Sequence, residues 1–280
     1  MDTITLMGAG GKMGFRAAEK LIHNSDYKLL CVEINDLGLK RLAEIGISVT
    51  PQDEALKQAD IVILAVPDAL IKTISSEIVP KLNSGTMLIG LDPAAAYAGV
   101  LPERKDITYF ITHPCHPPLF NDETDPAAKQ DYFGGVAAKQ SIVCALHQGP
   151  EENYERGEAL ARIIFAPVIK AHRVTTEQMA ILEPALVETL TATCLTIMRE
   201  GMDEAIHMGV PEEAARDFLL GHIRGEIAII FDLAGFPFSD GAKFAIDQAK
   251  KRIFKSDWKD IMTINSIKES VRGITKVNDI

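Results

Sequence analysis

Two histidines three positions apart, His113 and His116, lie in the stretch THPCHPPLF, Thr112 to Phe120, among three prolines and Cys115. An imidazole ligates divalent metals or moves protons near neutral pH. Proline fixes φ and keeps its neighbours out of a helix. The stretch predicts a stiff loop carrying two usable imidazoles. A metal clasp, an acid/base pair and a plain rigid turn are all open at this point.

Carboxylates of interest follow in ILEPALVETL. Glu183 interrupts an apolar helical pattern and precedes Pro184, which predicts a kink. An acid there is costly unless paired or metal-bound, so Glu183 is the favoured ligand and a paired structural Glu the alternative. Glu188 lies five positions on, about 140° around a regular helix, so the two would share a face only if the helix is distorted. Farther on, His222 and Glu226 stand i, i+4 on one helix face. They form a ligand pair, in the same chain or across a dimer interface, or a solvated face. Lys139 is a candidate for a substrate carboxylate, or simply exposed. His147 and His172 flank strand edges and receive no role. No Ser-His-Asp order or nucleophile elbow is present.

The stretch MGAGGKMG opens the first helix after a short apolar strand. Its glycines are Gly8, Gly10, Gly11 and Gly14, with Met13 in the slot where G-x-G-x-x-G has its third glycine. Gly8 suits a tight turn, Gly10 a close approach of pyrophosphate, and Gly14 close packing of helix on strand. The free amides at the helix start, through Gly11, Lys12 and Met13, then face phosphates. Glu33 ends the second strand, placed to accept bonds from ribose hydroxyls and to repel a 2′-phosphate. No Arg follows in EINDLG, which favours NAD over NADP. Val66, Pro67 and Asp68 end the next strand, where open α/β sheets bind ligands; Asp68 as a simple helix cap is the alternative.

These groups need a scaffold. TITLM, YKLLCVEI, ADIVILAVP, GTMLIGLDP and ITYFITHP read as strands, with helices at about Lys12–His23 and through DALIKTISSEIVPKL. QSIVCALHQ, a helix over Glu151–Phe165 and the strand PVIKAHRVT complete this part. From Thr175 strands disappear. A helix capped by Thr175 runs to about Met208. Gly209 ends it and Pro211 opens the next, to about Ala234. Helices at about Ala242–Phe254 and Trp258–Arg272 follow. The fold class is α/β, a Rossmann-type doubly wound parallel sheet followed by an all-α second domain. The expected domains are 1–174, binding the nucleotide, and 175–280, for substrate and dimerisation.

The bulk numbers are ordinary for a soluble globular protein. Thirty-nine acidic residues against 29 basic ones, net −10, argue against nucleic acid or an anionic membrane as partner. An anionic substrate would need local help from amides, a cation or a few placed Lys and Arg. The four cysteines, Cys31, Cys115, Cys144 and Cys194, are far apart and read as free thiols in a reducing compartment. No signal peptide is visible, and no apolar run is expected to reach the ~18–20 residues of a membrane span. A cytoplasmic location is expected.

The blocks MGAGGKMG, VEI, LAVPDALI, THPCHPPLFNDET and DYFGGVAAKQSIVCALHQGP resemble the D-apionate oxidoisomerase family along nearly the whole chain. The glycine loop is common to many dehydrogenases, whereas the last two blocks are much more specific. The resemblance implies an NAD-dependent enzyme acting on a branched sugar acid. It would oxidise the 2-hydroxyl of D-apionate and shift a hydroxymethyl group, giving 3-oxo-isoapionate. The logic is similar to ketol-acid reductoisomerase, where a divalent cation polarises the ketol. It implies His113 and Glu183 as ligands of a divalent ion (Zn, Mg or Mn), with His116 completing the shell or acting as base. Glu188 and His222 join His116 as candidate catalytic groups. A homodimer through the helical domain is also implied. The G-x-x-x-K-x-x-N stretch of 6-phosphogluconate dehydrogenase has no counterpart, since GVAAKQSIV lacks the Asn, which puts decarboxylation in doubt. A metal-free NAD-dependent hydroxy-acid or prephenate-type dehydrogenase and a non-catalytic NAD-sensing protein are the alternatives.

Overall fold

The structure, a computed structural model, describes residues 1–275 of the 280. The strands are β1 Asp2–Met7, β2 Tyr27–Val32, β3 Ile61–Leu64, β4 Met87–Gly90, β5 Thr108–Pro114, β6 Gln140–Gln148 and β7 Val168–Arg173. Among the described residues they form one sheet in the order β2-β1-β3-β4-β5-β6-β7. β1 to β5 run parallel, as the alternating pattern predicts. β6 then pairs antiparallel with β5, and β7 runs parallel to β6, so the last two strands are reversed.

Helices α1 Lys12–Leu21, α2 Asp36–Glu44, α3 Gln52–Gln58, α4 Asp68–Ile78, α5 Ala94–Tyr97, α6 Pro126–Gln130 and α7 Asn153–Ile164 connect the strands. β3 shows why both faces are covered. Ile61 and Ile63 belong to one core cluster, with residues of α1 and α7, while Val62 and Leu64 belong to another, with residues of α3 and α4. Side chains alternate along a strand, so an all-apolar run demands two apolar layers. Each such buried side chain contributes roughly 1.5–3 kcal/mol. α2 and α3 lie in a region whose sequence pattern is short and polar. Asn35 caps α2 by accepting from the Leu37 and Gly38 amides.

Among the described residues the chain divides into two compact units, Met1–Pro184 together with 267–275, and Ala185–Ser266. The division therefore falls at Pro184, where the sequence suggested residue 174. Thr175 to Pro184 count with the sheet because Thr176, Met179 and Ala180 of α8 Thr176–Ala180 are buried. Thr175 makes the expected cap, here a full capping box with Gln178. Ile181–Ala192 is a π-helix containing Pro184, and α9 Thr193–His207, α10 Glu212–Ile230, α11 Asp240–Ile253 and α12 Ile264–Thr275 follow.

The stretch Thr176–His207 is helical over 32 residues, with a mean hydropathy of 1.4 in its most apolar window. By length and composition alone it is long and apolar enough to cross a membrane, but Glu183 and Glu188 interrupt its apolar residues, so it holds no unbroken apolar run of the expected ~18–20 residues. Only 11% of that window is buried. In the helical unit the buried apolar side chains are Ala185, Met202 and Ala215, while Leu195, Phe218, Phe231 and Phe244 are exposed.

Candidate active site

The glycine loop is held by contacts that leave no room for a Cβ. Gly8 has φ +74, and a Cβ there would lie 2.5 Å from the Ala65 carbonyl and 3.0 Å from the Val66 side chain. At Gly14 it would lie 2.1 Å from the Gly8 carbonyl, so helix and strand pack as expected. Gly10 is also crowded from the protein side: its Cβ would lie 2.3 Å from Gly38 Cα. The start of α2, not only a phosphate, requires glycine there. Gly11 caps α1 without a side-chain bond, leaving the first-turn amides of Lys12 and Met13 available.

Glu33 is tied into this loop. Its Oε2 accepts the Gly10 amide at 2.8 Å and its Oε1 the Ile34 and Asn35 amides at 2.7 and 2.8 Å. Three amides take about three of the roughly four lone-pair positions of a carboxylate, leaving one for a ligand hydroxyl. Arg41, beyond the EINDLG stretch, reaches the Gly10 carbonyl at 3.4 Å. Pro67 is the cap of α4, and Asp68 is its first residue rather than a capping side chain. Burial, then the neighbouring Asp92, pushes the Asp68 carboxyl up.

His113 corrects the loop expectation. It and Pro114 are the last residues of β5, paired with Val143 and Ile142 of β6. The strand, rather than the prolines, sets the imidazole. Its Nδ1 lies 2.8 Å from the Leu91 carbonyl, which only accepts, so Nδ1 carries the proton. In the neutral imidazole that leaves the Nε2 lone pair facing Glu183 Oε1 at 3.5 Å. Nε2 is buried and has no hydrogen-bond partner. Asp92 Oδ2 lies 3.9 Å from Nδ1, and Asp92 also accepts the Ala94 amide at 2.7 Å. The side chains of His113, Glu183 and Asp92 are 18%, 21% and 24% exposed, so the two carboxyl groups meet the imidazole where water screens them less than at the surface. Burial pushes the Asp92 carboxyl up, and nearby Glu183 adds to the rise. Asp92 had no sequence signal beyond its place at the carboxyl end of a strand.

Two electron-pair donors facing each other, one of them an orphaned buried nitrogen, fit a shared cation. Zinc-type ligand distances of about 2.0–2.2 Å on each arm are compatible with their separation. Among the described residues no three His, Cys, Asp or Glu side chains gather as a metal-holding group. A cation held here would draw its other ligands from substrate and water.

His116 sits beyond the strand with φ 61, a left-handed conformation rare for a non-glycine residue. Its Nδ1 lies 2.8 Å from the Phe133 carbonyl, and its ring meets that of His113 edge-on at 6.0 Å. Phe133 lies under the Lys12 ammonium, 4.0 Å from its ring centre.

Glu188 and His222 belong to the helical unit. In a π-helix, bonds run i to i+5, so residues five apart stand one turn apart. The distortion that the spacing of Glu183 and Glu188 required is thus present in Ile181–Ala192. His222 bonds the Phe218 carbonyl through Nδ1 at 2.7 Å and stacks on the Phe218 ring at 4.0 Å. Lys139 is exposed. His147 Nδ1 meets the Thr176 hydroxyl at 3.0 Å, and burial pushes its imidazole down.

Residues 121–275 match the family model described as phosphogluconate dehydrogenase (decarboxylating) C-term, and residues 3–92 match NADP oxidoreductase coenzyme F420-dependent. The chain is 52% identical to a D-apionate oxidoisomerase of Cupriavidus necator, over 98% of this chain and 99% of that one. It is similar to the solved semialdehyde dehydrogenase NAD-binding protein from Cupriavidus necator in complex with calcium and NAD, with TM-score 0.95, 52% identity, and coverage of 98% and 100%. An NADH-preferring ketol-acid reductoisomerase from an uncultured archaeon, TM-score 0.68 at 19% identity over 98% of this chain and 82% of that one, shares the fold.

Proposed function

The chain belongs to the D-apionate oxidoisomerase family, and from that premise we propose that it converts D-apionate to 3-oxo-isoapionate with NAD. The overall change is D-apionate plus NAD+ to 3-oxo-isoapionate plus NADH and a proton. A hydride leaves C2 for the nicotinamide and a proton leaves the 2-hydroxyl. The tertiary hydroxyl at C3 then loses its proton as the hydroxymethyl group moves from C3 to C2. The oxygen at C2 takes a proton back.

The observation that carries this reading is the orphaned Nε2 of His113 facing Glu183 Oε1 at 3.5 Å. His113 and Glu183 hold a divalent ion, Zn, Mg or Mn. When bound, that ion supplies the Lewis acidity that a 1,2-shift of a ketol needs. NAD supplies the hydride acceptor. The first-turn amides of Lys12 and Met13 donate to its phosphates, Gly8, Gly10 and Gly11, whose own amides are bonded within the protein, let the backbone approach them, and Glu33 accepts a ribose hydroxyl. Val66, Pro67 and Asp68 contact the adenine or the nicotinamide ribose. His116 takes the proton of the tertiary hydroxyl, because its Nδ1 is engaged with Phe133 and its Nε2 carries the lone pair. Glu188 and His222 remain acid/base candidates from the helical unit, in the same chain or in a second copy.

The exposed apolar side chains of that unit support a homodimer. An 82-residue helical unit whose buried apolar side chains are Ala185, Met202 and Ala215 lacks the core that a stable unit of that size has. Four unbridged cysteines fit a reducing compartment, the cytoplasm.

A metal-free hydroxy-acid dehydrogenase is the second reading, and it rests on the same pair. A proton shared between Nε2 and Oε1 would also satisfy both atoms. Incubation with D-apionate and NAD, with the product identified by carbon NMR, tests the proposal. Formation of 3-oxo-isoapionate supports it. Reduction of NAD by another hydroxy acid but not by D-apionate sinks it.

A further inference from the structure

The block DYFGGVAAKQ carries no role in the chemistry described so far, yet its backbone is unusually constrained. Asp131 Oδ2 accepts three successive amides, those of Val136, Ala137 and Ala138, at 3.0, 2.9 and 3.1 Å. The turn between them needs left-handed Gly134 and Gly135, with φ 70 and 83. A Cβ on Gly134 would lie 2.5 Å from the Gln140 side-chain amide, which is itself bonded to the Phe165 carbonyl at 2.8 Å. The segment is also stitched to α1, with Lys12 on the Phe133 ring and Arg16 3.5 Å from the Gly134 carbonyl. At its centre the Phe133 carbonyl accepts from His116 Nδ1 at 2.8 Å.

That last bond decides what His116 offers. A carbonyl only accepts, so it selects the imidazole form whose Nε2 is the acceptor. His116 sits in the left-handed region, which histidine enters more readily than most non-glycine residues, and Phe133 holds its ring there through the carbonyl bond and an edge-on ring contact at 5.8 Å. We propose that Asp131 is a positioning residue for catalysis: it anchors the strap 131–139, whose Phe133 carbonyl fixes the ring and proton of His116. The inference rests on His116 being the base of the proposed reaction.

A double-mutant cycle tests it, with kcat and KM measured for whichever acid reduces NAD. D131A is expected to lower kcat by at least about 10-fold, part of the ~10²–10⁴-fold that an acid/base group contributes. Both KM values should change less than about threefold. D131N, which keeps one acceptor oxygen, should recover part of the rate. D131A/H116A should be no slower than H116A, because the strap acts through that ring. The inference is overturned if the two losses multiply, or if D131A raises KM and leaves kcat intact. H116A at the wild-type rate would instead sink the reading of His116 as base, whatever Asp131 does. If the thermal midpoint shows D131A unfolded, D131N passes through the same cycle: a smaller loss of kcat that disappears in the H116A background supports the inference, and a loss that multiplies with that of H116A overturns it.

Discussion

His113 turns its Nε2 toward Glu183 Oε1 across 3.5 Å while its Nδ1 is committed to the Leu91 carbonyl at 2.8 Å. The second fact gives the first its meaning. With the proton held at Nδ1, two acceptors face each other in a partly buried place. Something positive belongs between them, an ion or a proton.

Removal of either partner should therefore be severe. His113→Ala and Glu183→Gln are each expected to lower kcat/KM by about 10²-fold or more. Titration calorimetry with manganese should lose its heat in both. A variant that binds manganese as tightly as the parent protein would place the ion elsewhere.

Asp92 gives a pH prediction. Its carboxyl is pushed above the ordinary 3.8 by burial. A raised folded pKa means the unfolded chain gives up its proton first as pH rises. The site's contribution is present below 3.8 and is lost as pH rises through the raised value. Asp92→Asn keeps the oxygen that accepts the Ala94 amide and removes the charge. The chelator-treated variant should melt higher than the parent at pH 7, with the gap closing toward pH 3. An equal gap at both pH values would argue against this.

The glycine loop predicts a stability effect as well as a binding one. Gly10→Ala drives a Cβ to within 2.3 Å of Gly38 Cα, a backbone atom that cannot swing aside. It should cost about 1–3 kcal/mol by urea unfolding and weaken NAD binding. Unchanged stability with weakened NAD would return Gly10 to a purely phosphate-facing role.

The helical unit predicts an assembly. Leu195 and Phe218 are 49% and 69% exposed. Light scattering should give twice the mass of the chain, and Leu195→Asp with Phe218→Asp should give a monomer. A monomeric parent protein would leave this apolar surface without its proposed cover.

Much of the scaffold was legible because its signals are local. Strands such as Ile61–Leu64 are short apolar runs, and Thr175, Gly209 and Pro211 punctuate the helices in the expected way. Glu183 stood out because a carboxylate interrupts an apolar helix. The π-helix around it was not legible, since Pro184 announces a break but not which hydrogen bonds replace the lost ones. The reversal at β6 also escaped, because an apolar run carries no direction. Asp92 and Asp131 were missed for a plainer reason: an aspartate directly before Pro93, or three residues before Gly134, reads as a turn former. Their three-dimensional partners, the His113 ring and three successive amides, lie far off in sequence or bond only through backbone.

The most direct test strips the protein of metal and follows NADH absorbance with D-apionate and NAD. Wild-type protein should lose turnover on stripping and regain it with added magnesium, manganese or zinc. Glu183→Gln, treated identically, should regain almost none. Full turnover by the stripped wild-type protein would contradict the claim that His113 and Glu183 work through a shared cation.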